Sequence, residues 1–151
     1  MNLLLTNDDG IDAPGLAALR VVAKRLTKGR IVVVAPAGPM SECSHCVSTR
    51  EAIRVERRGE SEIAVHGSPA DCARVALTTD VCGEFRPDWV LSGINAGGNL
   101  GVDIYYSGTV AAAREATILG IPSIAISHYL RRGVEVDWDA AGARAEREIR
   151  A

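Results

Sequence analysis

Two adjacent carboxylates, Asp8 and Asp9, follow the apolar run Leu3-Leu4-Leu5 and precede Gly10. Like charges held this close repel, and one stays protonated unless a cation compensates. A hard divalent ion such as Mg²⁺ or Mn²⁺ does so with oxygen ligands. Ser41 and Asn95 offer a hydroxyl and an amide oxygen at what read as neighbouring strand ends. A plain turn at Asp8-Asp9-Gly10 accounts for the same two acids, because Asp and Gly are turn formers. Further along, Asn95-Ala96-Gly97-Gly98-Asn99-Leu100-Gly101 is rich in Gly and Asn, and Ser107-Gly108-Thr109 opens a helix. Glycines let backbone N–H groups approach an anion, and a helix start adds unpaired N–H groups and a positive dipole end. The spacing matches neither the P-loop nor the dinucleotide fingerprint. A carboxylate pair and an anion cradle at one sheet edge together point to metal-assisted chemistry on a phosphate ester.

The other reactive types are less suggestive. Cys43-Ser44-His45-Cys46 has the spacing of half a zinc site, but Cys72 and Cys82 supply no second pair, and a structural zinc needs four ligands. The four cysteines are expected as free thiols, with Cys72 and Cys82 as small core residues. His66 and His128 stand alone and read as structural. His45 shares the loop of Ser41, within reach of a substrate. Arg57-Arg58 and Arg131-Arg132 read as solvated surface.

The elements that must position these groups alternate between strand and helix. Leu3–Leu5 reads as a buried strand. Pro14–Leu26 reads as a helix from Leu16, Leu19, Val22, Ala23 and Leu26 at helical spacing, with Asp12 as its cap, Pro14 in its first turn and Gly29 as its stop. Ile31–Ala35 is a second strand, and Pro36–Ser48 an aperiodic loop. Arg50–Val65 holds two short strands around Arg58-Gly59-Glu60. Ser68-Pro69 opens a helix through Leu77. Trp89–Leu91 is a central strand, Ser92–Gly108 a long glycine-rich loop, Thr109–Leu119 a helix stopped by Gly120, and Ile121–Ser127 a further strand. An amphipathic helix runs from Asp137 to the end through Trp138, Ala141, Ala145 and Ile149. Central strands that are continuously apolar rather than alternating belong to a parallel sheet covered on both faces. The expected fold is therefore α/β: a doubly wound, mainly parallel sheet, Rossmann-like, in three α/β/α layers. In such folds ligands sit at the carboxyl ends of the strands. Asn7-Asp8-Asp9, the Ser41 loop and Ser92-Gly93-Ile94-Asn95 all fall there.

Composition narrows the field. The 151 residues are 47% hydrophobic and 24% charged, the mix of an ordinary globular domain rather than a disordered or fibrous chain. Net charge is −2 and aromatic content only 4%, so there is neither a basic field nor a stacking platform for a nucleic-acid duplex, and no basic face for a membrane. No apolar run is long enough to span a bilayer, and the first residues lack the basic start and cleavable apolar stretch of a signal peptide; the expected location is the cytoplasm.

Several blocks, in order, resemble the SurE family of stationary-phase survival proteins. These are Leu4-Leu5-Thr6-Asn7-Asp8-Asp9-Gly10-Ile11 with Ala13-Pro14-Gly15-Leu16; Val33-Val34-Ala35-Pro36 leading to Ser41; Gly67-Ser68-Pro69-Ala70-Asp71-Cys72; Ser92-Gly93-Ile94-Asn95 with Gly98-Asn99-Leu100-Gly101 and Tyr106-Ser107-Gly108-Thr109-Val110-Ala111-Ala112-Ala113; and Ile121-Pro122-Ser123-Ile124-Ala125-Ile126-Ser127. The resemblance implies one SurE-like phosphatase domain over residues 1–151. Its implied activity is divalent-metal-dependent release of phosphate from nucleoside 5′- or 3′-monophosphates by a metal-activated water. By position it places one Mg²⁺ or Mn²⁺ on Asp8, Asp9, Ser41 and Asn95, with Asp8 and Asp9 catalytic, and the phosphate on Asn99, Ser107, Gly108 and Thr109. It also implies a homo-oligomer, a dimer or a tetramer. Family members continue beyond residue 151 with further strands and a subunit-exchanging extension. Glu42, beside Ser41, departs from the family's usual loop.

Three rivals stand beside this expectation. A shortened member could bind metal and nucleotide yet turn over weakly. Asp8 or Asp9 could act as a nucleophile and form an aspartyl-phosphate. A phospho-receiver domain also places paired acids after its first strand, but it needs an acceptor Asp at the central strand end and a Lys near the last strand. Here the central strand ends in Ser92-Gly93-Ile94-Asn95, and Lys24 and Lys28 both lie in the first helix region.

Overall fold

The computed structural model describes residues 1–40, 43–130 and 133–151. The elements in chain order are β1 (Leu3–Thr6), α1 (Pro14–Leu26), β2 (Ile31–Pro36), β3 (Val55–Gly59), β4 (Glu62–Val65), α2 (Pro69–Thr78), β5 (Trp89–Ala96), α3 (Asp103–Tyr106), α4 (Gly108–Ile118), β6 (Ser123–His128) and α5 (Trp138–Arg150). One six-stranded sheet has the order β3-β4-β2-β1-β5-β6. All neighbours are parallel except β3 against β4. This is the expected three-layer α/β fold.

The apolar strands are explained by what covers them. Successive residues of a strand point to opposite faces. Leu3 and Leu5 of β1 join Val33, Leu91, Leu16, Leu19 and Ala145 in a core beneath α1 and α5. Leu4 joins Val32, Val34, Val90, Cys72 and Ala116 in a second core beneath α2 and α4. A strand buried on both faces has no position for a polar residue, so its sequence does not alternate. β6, at the open edge, is covered only in part: Ser123, Ile124, Ile126 and His128 are half-buried, and Ala125 and Ser127 are exposed.

Three local expectations change. Asp12 does not cap α1. Ala13 holds the N-cap position with no side-chain bond, and Asp12 instead pairs with Arg58 at 2.7 Å in solvent. Pro14 does take the first helical position. The stretch Ser92–Gly108 is not all loop, since β5 continues to Ala96 with Asn95 opposite Ser127 of β6, and Asp103–Tyr106 forms a short helix. Finally, Thr27 caps the end of α1, ahead of Gly29. The cap of α2 is as expected and stronger: the Ser68 hydroxyl accepts from Asp71 N–H while the Asp71 carboxylate accepts from Ser68 N–H. This reciprocal pair satisfies two orphan donors of the helix start.

The chain visits β1, β2 and β4 on one side and then crosses to β5 on the other side of β1. The reversal leaves a crevice outside the carboxyl ends of β1 and β5, the position where doubly wound sheets bind ligands.

Candidate active site at the switch point

Directly after β1 the chain turns. The Asn7 amide donates to Gly10 O at 2.8 Å, and Gly10 takes φ +100°, a conformation that side chains disfavour. Asp8-Asp9-Gly10 is thus a turn, as its residue types allow, and the turn presents two carboxylates at the strand end. Met40 N–H donates to Asp8 O at 2.8 Å and Ile11 N–H to Pro36 O at 2.8 Å, so the loop after β2 is laced to the same turn.

A cavity of about 540 Å³ opens there, lined among others by Asp8, Asp9, Asn95, Asn99, Tyr106 and Ser107. Each of the first three residues has one side-chain atom committed. Asp8 Oδ1 accepts from the Thr109 hydroxyl. Asp9 Oδ2 accepts from Ala96 N–H at 3.1 Å. The Asn95 amide nitrogen donates to Gly97 O at 2.8 Å. The remaining oxygens, Oδ2 of Asp8, Oδ1 of Asp9 and Oδ1 of Asn95, take no side-chain partner among the described residues. Burial pushes the Asp8 carboxyl above its ordinary value and the neighbouring charge of Asp9 pushes it further; the Thr109 hydroxyl opposes both.

The helix behind Asp8 approaches closely. A Cβ on Gly108 would lie 2.8 Å from Asp8 Cβ and 3.0 Å from Pro69 Cγ. Ser107 N-caps α4, its hydroxyl accepting from Val110 N–H. Asn99 donates to the Ser127 hydroxyl at 2.7 Å. Asp8, Asp9, Asn95, Asn99 and Ser107 therefore meet at one cavity. Gly108 and Thr109 do not line it; they stand behind Ser107, and the Thr109 side chain, fully buried, is spent on Asp8. Ser41 and Glu42 lie outside the described residues, as do Arg131 and Arg132.

Sequence reasoning passed over Asp103, which brings a third carboxylate to the cavity. No Lys, Arg or His lines the cavity among the described residues. Such a site repels a lone anion and favours a cation. Two carboxylates and an amide oxygen suit a hard, oxygen-seeking divalent ion. Among the described residues no group of three or more His, Cys, Asp or Glu side chains is placed to hold a metal ion, so an ion here would need the Asn95 amide oxygen beside Asp8 and Asp9, and the four cysteines are free. Cys72 and Cys82 are buried, and burial raises both thiols above their ordinary values.

His45 does not enter the cavity lining. Its Nε2 lies 2.7 Å from Glu115 Oε2 in α4, and Arg74 of α2 reaches the other oxygen of the same carboxylate at 3.4 Å. Ser48 donates twice to Asp71, and the Ser68 hydroxyl donates to Cys46 O. The loop carrying Cys43 to Ser48 is thereby fastened to α2 and α4. Nothing local in the sequence marks Glu115 as the partner. His66 pairs with Glu56 at 2.9 Å, and the His128 ring lies 6.4 Å from that of Trp138.

The family profile described as survival protein SurE matches residues 3–150. A Synechocystis relative carrying a provisional 5′-nucleotidase name is 52% identical over 140 residues, 91% of this chain and 58% of its own. The 5′-nucleotidase SurE 1 of Burkholderia lata is 47% identical over 148 residues, 98% of this chain and 56% of its own. The crystal structure of the SurE protein from Aquifex aeolicus superposes with a TM-score of 0.89 at 40% identity, covering 99% of this chain and 59% of that one. The chain thus spans less than two thirds of the length of these relatives. A profile match over nearly every residue, with close relatives and a matching crystal fold, carries one conclusion: the chain belongs to the SurE family.

Proposed function

We propose that this chain is a divalent-metal-dependent phosphatase that releases phosphate from nucleoside 5′- or 3′-monophosphates. The observation that carries this reading is the acidic cavity at the switch point, where Asp8, Asp9 and Asn95 line one space and each keeps one oxygen free of side-chain partners among the described residues. The names of the relatives support the substrate class. In this reading Asp8, Asp9 and Asn95, with Ser41 from the loop after β2, hold one Mg²⁺ or Mn²⁺. That ion supplies charge neutralisation on the phosphoryl oxygens and lowers the pKa of the attacking water. Thr109 holds Asp8 in place through its hydroxyl. Asn99 and Ser107 face the phosphate, backed by the first N–H groups of α4 at Gly108 and Thr109, whose dipole end favours negative charge. Water is the attacking group, and Asp8 and Asp9 orient it. The protein is placed in the cytoplasm, acting on small molecules rather than on a nucleic-acid duplex or a membrane; no helix of the described residues is long and apolar enough to cross one. Assembly into a dimer or tetramer belongs to the same proposal.

The test is phosphate release from a panel of nucleoside monophosphates after chelation and re-addition of Mg²⁺ or Mn²⁺, with Asp9→Asn alongside. The expected result is metal-dependent release that falls by a factor of about a hundred or more in the variant, the usual cost of losing one charge-stabilising contact. Full metal-dependent release by Asp9→Asn would refute the assignment. Metal binding without release would favour a binding form of the family fold over an active enzyme. A phosphorylated Asp8 or Asp9 trapped on the chain would replace water with a carboxylate nucleophile.

A further inference from the structure

The chain has only three tyrosines, and all three are exposed: Tyr105 at 68%, Tyr106 at 60% and Tyr129 at 70%. In a protein so poor in aromatic residues, this grouping around one end of the sheet calls for a cause. Tyr106 lines the acidic cavity and is bonded directly to Ser107, the cap of α4. Tyr129 follows β6 and lies across Gly98, which lines the same cavity; a Cβ on Gly98 would come within 3.0 Å of its ring. Tyr106 thus lines the cavity itself, while Tyr129 lines a second pocket with His128 and Val134 and touches the first through Gly98.

Both rings stand on fastened backbone. Ser44 N–H donates to Tyr106 O at 3.1 Å, and the Ser44 hydroxyl donates to Tyr105 O at 2.9 Å, so the loop after β2 braces α3. Gly97 N–H donates to His128 O at 3.1 Å, tying the residue before Tyr129 to the glycine-rich turn. Large aromatic surface left in water on braced backbone loses little further freedom when a flat ligand covers it. A phosphomonoester anchored beside Asp8, Asp9 and Ser107 would have Tyr106 among the side chains open to its organic part. The cavity volume, about 540 Å³, falls in the range of small-molecule sites, roughly 300–1,000 Å³.

We propose that Tyr106 and Tyr129 form a stacking subsite for a flat heteroaromatic base, so that the site selects nucleoside monophosphates over sugar phosphates of equal charge. This inference rests on the phosphatase reading above and adds its specificity-determining residues. Stacking tolerates any base, because each has a π-face, so the subsite selects for the presence of a base rather than its identity.

The experiment compares AMP with ribose 5-phosphate, which carries the same phosphate and sugar but no base. Both are measured on the 151-residue chain with Mn²⁺, by phosphate release and by calorimetric binding. The variants are Tyr106→Ala, Tyr129→Ala and their Phe counterparts, with the exposed neighbour Tyr105→Ala as control. The Ala variants are expected to weaken AMP about five- to a hundredfold in KM or Kd, the range of one base–aromatic stack. They are expected to leave ribose 5-phosphate within about twofold, and Phe to restore AMP, since stacking needs the ring and not the hydroxyl. Equal weakening of both ligands would mean that the tyrosines hold the site's shape, and would overturn the subsite. An unchanged preference for AMP would overturn it too. If the chain releases no phosphate from any ester, the phosphatase reading fails, while calorimetry still decides the subsite by whether AMP outbinds ribose 5-phosphate and loses that margin in the Ala variants. Absence of binding by both ligands refutes both.

Discussion

Replacing Thr109 by Val removes one hydroxyl from a fully buried position and leaves the Asp8 carboxylate without its only side-chain donor among the described residues. A hydrogen bond to a charged group contributes about 1.5–3 kcal/mol, against about 0.5–1.5 kcal/mol for a neutral pair. Where Asp8 is ionised, the variant should therefore lose about 1.5–3 kcal/mol, equivalent to a fall of about 3–12 °C in Tm for a domain of this size. The loss should depend on pH in a definite direction. Burial raises the Asp8 carboxyl in the fold, so the native state holds that proton more tightly than the unfolded chain. The Asp8 contribution to stability is therefore most favourable at low pH and diminishes as pH rises through the ordinary carboxylate range and on to the raised folded value. The Thr109 hydroxyl opposes this shift. Its removal should steepen the decline, so that the deficit of Thr109→Val is about halved once Asp8 is protonated. Urea unfolding of the metal-free chain from pH 4 to pH 7.5 reads both quantities, and Thr109→Ser should restore stability because it keeps the hydroxyl. A Val variant with wild-type stability throughout, or a deficit that grows on acidification, would refute the claim that Thr109 holds an ionised Asp8.

Gly108→Ala inserts a methyl 2.8 Å from Asp8 Cβ and 3.0 Å from the Pro69 ring. Overpacking of this kind costs about 1–3 kcal/mol, and differential scanning calorimetry should show a lowered Tm together with loss of the thermal stabilisation given by Mn²⁺. His45→Ala removes the tie between the Cys43–Ser48 loop and Glu115, and limited digestion with a broad-specificity protease should cleave that loop roughly tenfold faster, the factor for about 1.4 kcal/mol; an unchanged cleavage rate would show that Ser48 and Ser68 suffice to hold it.

The parts of the fold that were legible are those in which local pattern and burial agree. Leu3–Leu5 and Ile31–Ala35 read as buried strands because helices cover both faces and exclude polar residues. The Ser68-Pro69 start was legible because its bonds are made within four residues. Asp12 misled because Arg58, 46 residues away along the chain, lies close enough in space to claim it, and no local signal reports that partner. Asn95 read as loop because Gly93 and the following Asn/Gly run resemble a turn, yet β6 supplies a ladder that continues the strand through Ala96. At the site, residue types identified Asp8, Asp9, Asn95, Asn99 and Ser107. They did not reveal that Thr109 faces Asp8 rather than the cavity, since the direction of a side chain at a helix start depends on what the helix packs against. Asp103 stayed hidden for a similar reason: an isolated acid in a polar stretch acquires meaning only when α3 brings it to the cavity that two others line.

The half-covered strand β6 has a consequence for the molecule in solution. The accessible surface is 8255 Å², whereas a compact monomer of 16.0 kDa is expected to expose about 7,400 Å². An unpaired strand edge is also a template for another strand, because its free N–H and C=O groups already stand at ladder spacing. The sedimentation and diffusion of this chain should accordingly depend on its concentration. The register that Ser123–His128 offers would then govern which strands, its own or another's, can extend the sheet.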